Sequence, residues 1–150
     1  MTKSSEKYGR HPLFRSRASK VRQAARLRLR PLWLVIGWAM VAAVVWATLT
    51  PKPPQPAFSF FAMDKVEHLL AYAVLMGWFM QLHRGRTRLA YGLGLAAMGV
   101  LLEVLQGLGG VRYFEYADMA ANATGVALAA LLGRTACDRI LLGLERRLFP

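Results

Sequence analysis

Four long apolar runs, separated by charged or proline-rich segments, constrain the fold of this chain more than any other feature. The first, LWLVIGWAMVAAVVWATL at residues 32–49, carries no charge in 18 positions, and the others cover 66–82, 89–106 and 119–133. Because a helix rises about 1.5 Å per residue, about 17 to 20 residues cross a hydrocarbon core of roughly 30 Å. We therefore predict four transmembrane helices, the last of which takes residues from its flanks.

Composition favours a membrane protein over a soluble one. Hydrophobic residues make up 55% of the 150 residues, and the mean hydropathy is +0.30. A soluble domain of this length could not comfortably bury four such runs. The sequence predicts an all-α membrane protein whose domain at 32–133 is an antiparallel bundle of four transmembrane helices. A basic segment at 1–31 precedes this bundle, and an amphipathic tail at 134–150 follows it.

The positions of the positive charges predict the orientation. Lys and Arg total 20 against 8 Asp and Glu, and ten of the cations lie in residues 1–30. With the N-terminus in the cytoplasm, the inside segments 1–31, 83–88 and 134–150 hold 17 cations and the outside segments hold 3, as the positive-inside rule requires. We expect a multi-pass protein of the cytoplasmic membrane with both termini inside. Its expected partners are membrane lipids and not nucleic acid, and its first run is expected to be a retained anchor because no A-x-A site closes it.

This topology brings polar side chains from three helices to the outer leaflet. Each helix offers a pair at helical spacing: Asp64 with His68, Glu103 with Gln106, and Asp118 with Asn122. A charge facing lipid costs about 2.5 to 3.5 kcal/mol at mid-bilayer and less near the interface. We therefore expect the three pairs to face one another inside the bundle, with Arg112 folded over the carboxylates. Gly125, next along the helix from Asn122, is predicted to allow close packing of two helices.

Glu103 needs a partner more than the other acids do. It lies inside an apolar run near a helix C-terminus, where the helix dipole disfavours an anion. We predict Arg112 as its main partner and His68 as the alternative. Simpler interpretations stay open for the other residues: Asp64 and Glu67 have the spacing of a capping box, Asp118 can cap the fourth helix, His68 can hold a backbone carbonyl, and Arg112 can be a solvated loop cation.

The motifs resemble those of the VanZ-like family of small bacterial membrane proteins. The stretches DKVEHLLAYAVLMG, LLEVLQG and GGVRYFEYADMAANATG carry the resemblance, which spans about residues 49–133. The family pattern falls on Asp64, Lys65, His68, Glu103, Gln106, Arg112, Asp118, Asn122 and Gly125. The resemblance implies a role in the bacterial cell envelope, since the family is named for a member linked to reduced teicoplanin sensitivity.

Three functions remain open from the residues. The cluster can bind an envelope component at the outer leaflet, such as a lipid headgroup, a peptidoglycan precursor or a glycopeptide, through Asp64, Gln106, Arg112, Asp118 and Asn122. Alternatively, His68 and Glu103 can act as an acid–base pair on an envelope lipid. Because no H-E-x-x-H motif or Cys ligand set supports the metal-assisted version on His68, Glu103 and Asp118, we expect no metal and no cofactor. In the third interpretation, the polar contacts only hold the helices together.

Overall fold

The chain is entirely helical in the residues described by the structure, a computed structural model, which are 27–50, 61–109, 115–133 and 139–149. Five helices follow one another in this part of the chain: α1 at Arg30–Leu49, α2 at Phe61–Leu82, α3 at Arg86–Leu108, α4 at Tyr116–Leu132 and α5 at Ile140–Leu148. The all-α prediction is confirmed at this level. The basic segment before residue 27, the proline-rich loop and Arg112 lie outside the described residues.

Two of the helices, α1 and α3, are long and apolar enough to cross a membrane. Helix α1 begins with Pro31 in its first turn, where the missing N–H costs no hydrogen bond. Several of its large side chains are exposed, and Trp46 is 72% exposed. Helix α4 is also apolar but has 17 residues, and α2 carries charged residues in its first two turns.

Helix α2 lies at the centre of the fold. Six of its side chains, Tyr72, Leu75, Met76, Phe79, Met80 and Leu82, form most of the buried core. Its most extensive packing is against α4, and the two helices run side by side in the same direction. Gly125 makes this possible, since a Cβ there would lie 2.2 Å from the backbone oxygen of Leu69. The predicted close packing at Gly125 is what the structure has.

The first turns of α2 and α4 lie at one end of the fold, together with the last turns of α1 and α3. Gln106 of α3 donates a hydrogen bond from Nε2 to the backbone oxygen of Thr48 in α1, at 2.6 Å. Thr48 has one of the four terminal carbonyls that a helix leaves without an internal partner. The polar residues of three helices therefore converge on the same end, which we call the polar end.

Aromatic rings and α5 occupy the opposite end. His83 stacks on Tyr91 at a ring-centroid distance of 4.2 Å, and Tyr91 stacks on Phe79 at 4.7 Å. Helix α5 packs beside these rings through Leu141, which is buried in the core. The C-terminal tail, predicted as an amphipathic surface segment, thus contains a helix with one side packed against the rest of the fold.

Candidate functional site

An ion-pair bridge at the polar end joins α2 to α4. Lys65 Nζ lies 2.5 Å from Glu115 Oε2 and 2.7 Å from Asp118 Oδ1. Asp118 is buried, and it belongs to the first turn of α4. Since a buried carboxylate without a positive partner would be costly, Lys65 explains how Asp118 is tolerated at this position.

His68 lies one turn after Asp64 on α2 and contacts α4 through both of its ring nitrogens. Its Nδ1 lies 3.2 Å from Asn122 Oδ1, and its Nε2 lies 3.9 Å from Asp118 Oδ2. An amide oxygen accepts hydrogen bonds, so a hydrogen bond between His68 and Asn122 Oδ1 needs the tautomer that carries its proton on Nδ1. The other ring nitrogen, Nε2, faces the Asp118 carboxylate.

The two oxygens of Asp118 therefore have different neighbours. Oδ1 contacts Lys65, whereas Oδ2 faces the His68 ring. Lys65 and Asn122 together fix the orientation of the carboxylate and of the imidazole. The result is an imidazole and a carboxylate held beside each other by hydrogen bonds from two helices.

A cation could be held by three of the described residues. Asp64, His68 and Asp118 each offer one ligand atom, and these atoms lie within 4.8 Å of one another. Metal ions such as Zn²⁺ bind such ligands at about 2.0 to 2.2 Å, so the three groups would have to move closer. Lys65 also occupies one oxygen of Asp118. The absence of a resident metal, expected from the sequence, stays a prediction.

Glu103 and Gln106 lie on the buried face of α3. Glu103 is 2% exposed, and its Oε1 accepts the backbone N–H of Glu115 at 2.9 Å. Glu115 is the residue that precedes α4, so Glu103 fixes the start of that helix. The predicted pairing with Arg112 falls outside the described residues. The described polar contacts of His68, the alternative partner, are with Asn122 and Asp118.

A partly open cleft of about 150 Å³ leads to His68 between α1 and α2. Its walls combine small apolar side chains with polar ones: Val44, Ala47, Thr48, Glu67, His68, Ala71 and Tyr72. The cleft therefore connects the outer surface of the helices with the polar cluster.

The structure separates the predicted site residues by the contacts that they make. Asp64, His68, Asp118 and Asn122 form one cluster between α2 and α4. Glu103 and Gln106 instead hold the ends of α4 and α1. Asp118 makes no cap of its own helix, because the residue at the N-cap position is Glu115. The interpretation of Asp118 as the N-cap of the fourth helix is therefore wrong.

Lys65 is the residue that the sequence-based site lacked. Lys65 is one of the three predicted external cations and belongs to the family motif, but the sequence predicts no site role for it. The signal was present, because a lysine beside Asp64 in the first turn of an apolar helix needs an acidic partner. Its partners, Glu115 and Asp118, are 50 and 53 positions away, so the pairing depends on how the two helices pack.

Comparison of this chain with protein-family profiles, curated proteins and solved structures gave no match. The likeness to the VanZ-like family therefore stays a prediction from the motifs.

Proposed function

We propose that the chain is a VanZ-like protein of the bacterial cytoplasmic membrane, with α1 to α4 as four antiparallel spans and both termini in the cytoplasm. In this proposal, the polar end faces the outer leaflet and binds or acts on a cell-envelope component. The apolar composition of α1, α3 and α4 supports the placement in a membrane. The distribution of cations, with 17 in the predicted inside segments, supports the orientation.

The observation that carries this proposal is the joint orientation of His68 and Asp118 by Asn122 and Lys65. Helix packing alone would be served by apolar side chains, which pack without the cost of removing charges from water. Instead, α2 and α4 hold an imidazole and a carboxylate 3.9 Å apart. Such a pair can bind a polar headgroup or accept a proton from it.

The cleft beside His68 favours a lipid over a water-soluble ligand. Val44, Ala47 and Ala71 give it an apolar wall, and His68 lies at its polar side. A lipid in the outer leaflet can place its chain against the apolar wall and its headgroup against the polar cluster. Among the envelope components considered, a lipid headgroup or a lipid-linked peptidoglycan precursor fits this arrangement better than a glycopeptide.

An intramembrane acid–base enzyme is the second candidate function. It is favoured by the contacts of His68, whose Nδ1 faces Asn122 Oδ1 and whose Nε2 faces the Asp118 carboxylate. Neither a serine nor a cysteine is among the residues of the described cluster, so a covalent acyl-enzyme is not expected there. His68 would then act as a general base that takes the proton of a ligand hydroxyl group.

One experiment tests both functions. The full-length protein is purified into nanodiscs made from a bacterial envelope lipid extract, and the lipids are analysed by mass spectrometry before and after incubation. A changed lipid mass that depends on His68 would establish an enzyme, whereas an unchanged but selectively retained lipid would establish a binding protein. His68→Gln should remove either signal, and Trp46→Leu, on the exposed face of α1, should leave it intact. Equal lipid profiles for wild type and His68→Gln would overturn the proposal and favour a purely structural role.

A further inference from the structure

Helix α5 is attached to the end of the fold opposite the polar cluster. Its Glu145 is 3% exposed and accepts hydrogen bonds from the backbone N–H groups of Arg28 at 2.6 Å and Leu29 at 2.9 Å. The indole Nε1 of Trp33 donates a third hydrogen bond to it, at 2.7 Å. The N–H groups at the start of a helix lack internal partners, and the helix dipole favours an anion there. Glu145 therefore acts as a cap for α1.

A second attachment fixes the rotation of α5 about its axis. The backbone N–H of Leu141 donates to Oε1 of Gln81 at the end of α2, at 2.8 Å, and the Leu141 side chain is buried. Leu141 and Glu145 are four residues apart and lie on one side of the helix. With this side bound to the fold, the orientation of every other α5 side chain follows.

The neighbouring side of α5 presents an apolar row that no described part of the chain covers. Ile140, Leu144 and Leu148 follow one another at four-residue spacing and are 60%, 42% and 58% exposed. Phe149, directly after the helix, is also exposed. By the same helical geometry, Gly143 lies about 100° away from Leu144, and no atom lies within 4 Å of the place where its Cβ would be.

The surroundings of this apolar row are strongly basic. Exposed arginines lie in and beside α5, at the start of α1 and around the turn between α2 and α3: Arg28, Arg30, Arg84, Arg86, Arg139, Arg146 and Arg147. The acid of α5, Glu145, is buried against α1 and offers no negative charge to a partner. Burial raises the pKa of Glu145, but the hydrogen bonds from Leu29, Trp33 and Arg28 and the positive charge of Arg28 together lower it below its usual value.

We propose that α5 is an interfacial helix that lies on the anionic inner leaflet, with Ile140, Leu144 and Leu148 inserted among the lipids. An apolar row flanked by arginines matches a surface that combines anionic headgroups with acyl chains. Arg147, beside the apolar row, can extend its side chain to the headgroups while its stem covers apolar surface. The hydrogen bonds of Glu145 attach α5 to α1. The helix is therefore already folded and does not have to form on binding to the membrane surface.

This inference rests on the membrane placement in the proposed function but not on the polar site. It is tested with the full-length chain in a Cys137→Ser background, since Cys137 is the single cysteine. Cysteine is introduced at Leu144, Leu148 or Gly143, labelled with an environment-sensitive fluorophore, and reconstituted into phosphatidylcholine vesicles with or without phosphatidylglycerol. The vesicles carry nitroxide-labelled lipids that quench fluorescence within the bilayer.

The labels at 144 and 148 should be quenched about threefold more than the label at 143, and more strongly when phosphatidylglycerol is present. Equal quenching at 143 and 144 would overturn the proposal. Energy transfer between labelled chains without lipid quenching would also overturn it, because a second copy of the chain would then cover the row. A label on Trp46→Cys distinguishes failure of the α5 proposal from failure of the membrane placement. Strong quenching at 46 with none at 144 refutes only the role of α5. No quenching at either position refutes the membrane placement.

Discussion

At the scale of single residues, Lys65 and Asp118 form the most informative contact in the structure. Lys65 also contacts Glu115, so one cation balances two carboxylates from the start of α4. The Asp118 side chain is more deeply buried than the lysine. Removing one partner of a buried ion pair leaves the other charge without compensation.

Lys65→Met should lower the free energy of unfolding by about 3 kcal/mol, the lower end for a broken buried pair, because the lysine is partly exposed. Asp118→Asn in the same chain should restore part of this loss, since the uncompensated charge is then absent. Denaturation of the two single variants and the double variant in one detergent gives the coupling energy. Additive losses would mean that the two side chains do not stabilise each other.

The stability of the protein should depend less on the charge of Glu103 than on its hydrogen-bond-accepting oxygen. Glu103→Gln keeps an acceptor for the Glu115 N–H, so stability should change by less than about 1 kcal/mol, whereas Glu103→Leu leaves that N–H unpaired and should cost about 1 to 3 kcal/mol. If Glu103 only holds the start of α4, Glu103→Gln should keep the lipid signal in nanodiscs, whereas a catalytic Glu103, as predicted from the sequence, would lose it. A variant that loses stability and lipid signal together would support a structural role instead.

At the scale of elements, the contact between α2 and α4 depends on Gly125. The backbone of α2 occupies the position that a Cβ would need, and the atoms concerned are Leu69 O and Ala73 N, which cannot move independently of their helix. The separation of the two helices in turn fixes the distances across the polar cluster. Packing at Gly125 and chemistry at His68 are therefore linked through one helix pair.

Gly125→Ala should destabilise the protein by about 3 kcal/mol, the upper part of the range for overpacking, because backbone must shift. Gly125→Leu should cost more. Gly94→Ala is the matched control: it lies in α3 with no atom within 4 Å of its Cβ position, and it should be neutral or stabilising by up to about 1 kcal/mol. Thermal melting in detergent compares them, and a similar loss for both alanines would refute the close-packing argument.

The stability of the fold should depend on pH through His83, which directly follows α2. Burial lowers the pKa of His83 below 6.5, the nearby charge of Arg30 lowers it further, and the hydrogen bond to the Phe79 carbonyl opposes this only in part. Arg88 also lies close, since its Nε donates to the His83 carbonyl at 2.6 Å. The unfolded chain therefore binds the proton more readily than the folded one.

Stability from His83 should be fully present above pH 6.5 and decrease as the pH falls through the lowered pKa of the folded state. Melting temperatures measured between pH 7.5 and pH 5 should show this decrease in the wild type. His83→Phe retains a ring against Tyr91 but cannot be protonated, so its melting temperature should decrease less over the same interval. An identical pH dependence in both proteins would assign the effect to other groups.

At the scale of the whole molecule, the two ends of the fold differ in charge. The polar end holds most of the described acids, whereas the opposite end carries exposed arginines from α1, α3 and α5. By the positive-inside rule, the end that is rich in arginine is expected to face the cytoplasm. In the proposed topology, the polar end and α5 lie on opposite faces of the membrane.

Reporter fusions should show this orientation directly. A cytoplasm-active reporter after Pro150 should be active, and the same reporter within residues 51–58 should be inactive, with the reverse for a periplasm-active reporter. The expected result follows from the 17 cations in the predicted inside segments against 3 outside. An active periplasmic reporter after Pro150 would place the polar cluster on the cytoplasmic side and remove the argument for an outer-leaflet ligand.

The sequence by itself determined the helices and the candidate residues. Apolar runs predict helices because backbone groups in an apolar environment must be paired within the segment, and the spacing of Asp64 with His68 and of Asp118 with Asn122 follows from the helical repeat. Gly125 was also found from the sequence, since small residues mark close helix packing.

Only the tertiary structure decided which of these residues meet. The pairing of Lys65 with Asp118, the contact of His68 with Asn122 and the Glu145 cap on α1 all join positions more than 50 residues apart. Helical periodicity specifies which residues share a face, but not which helix lies opposite that face or at what depth. That choice is made by the packing of whole helices, where the close contact at Gly125 sets the depth at which α4 lies against α2.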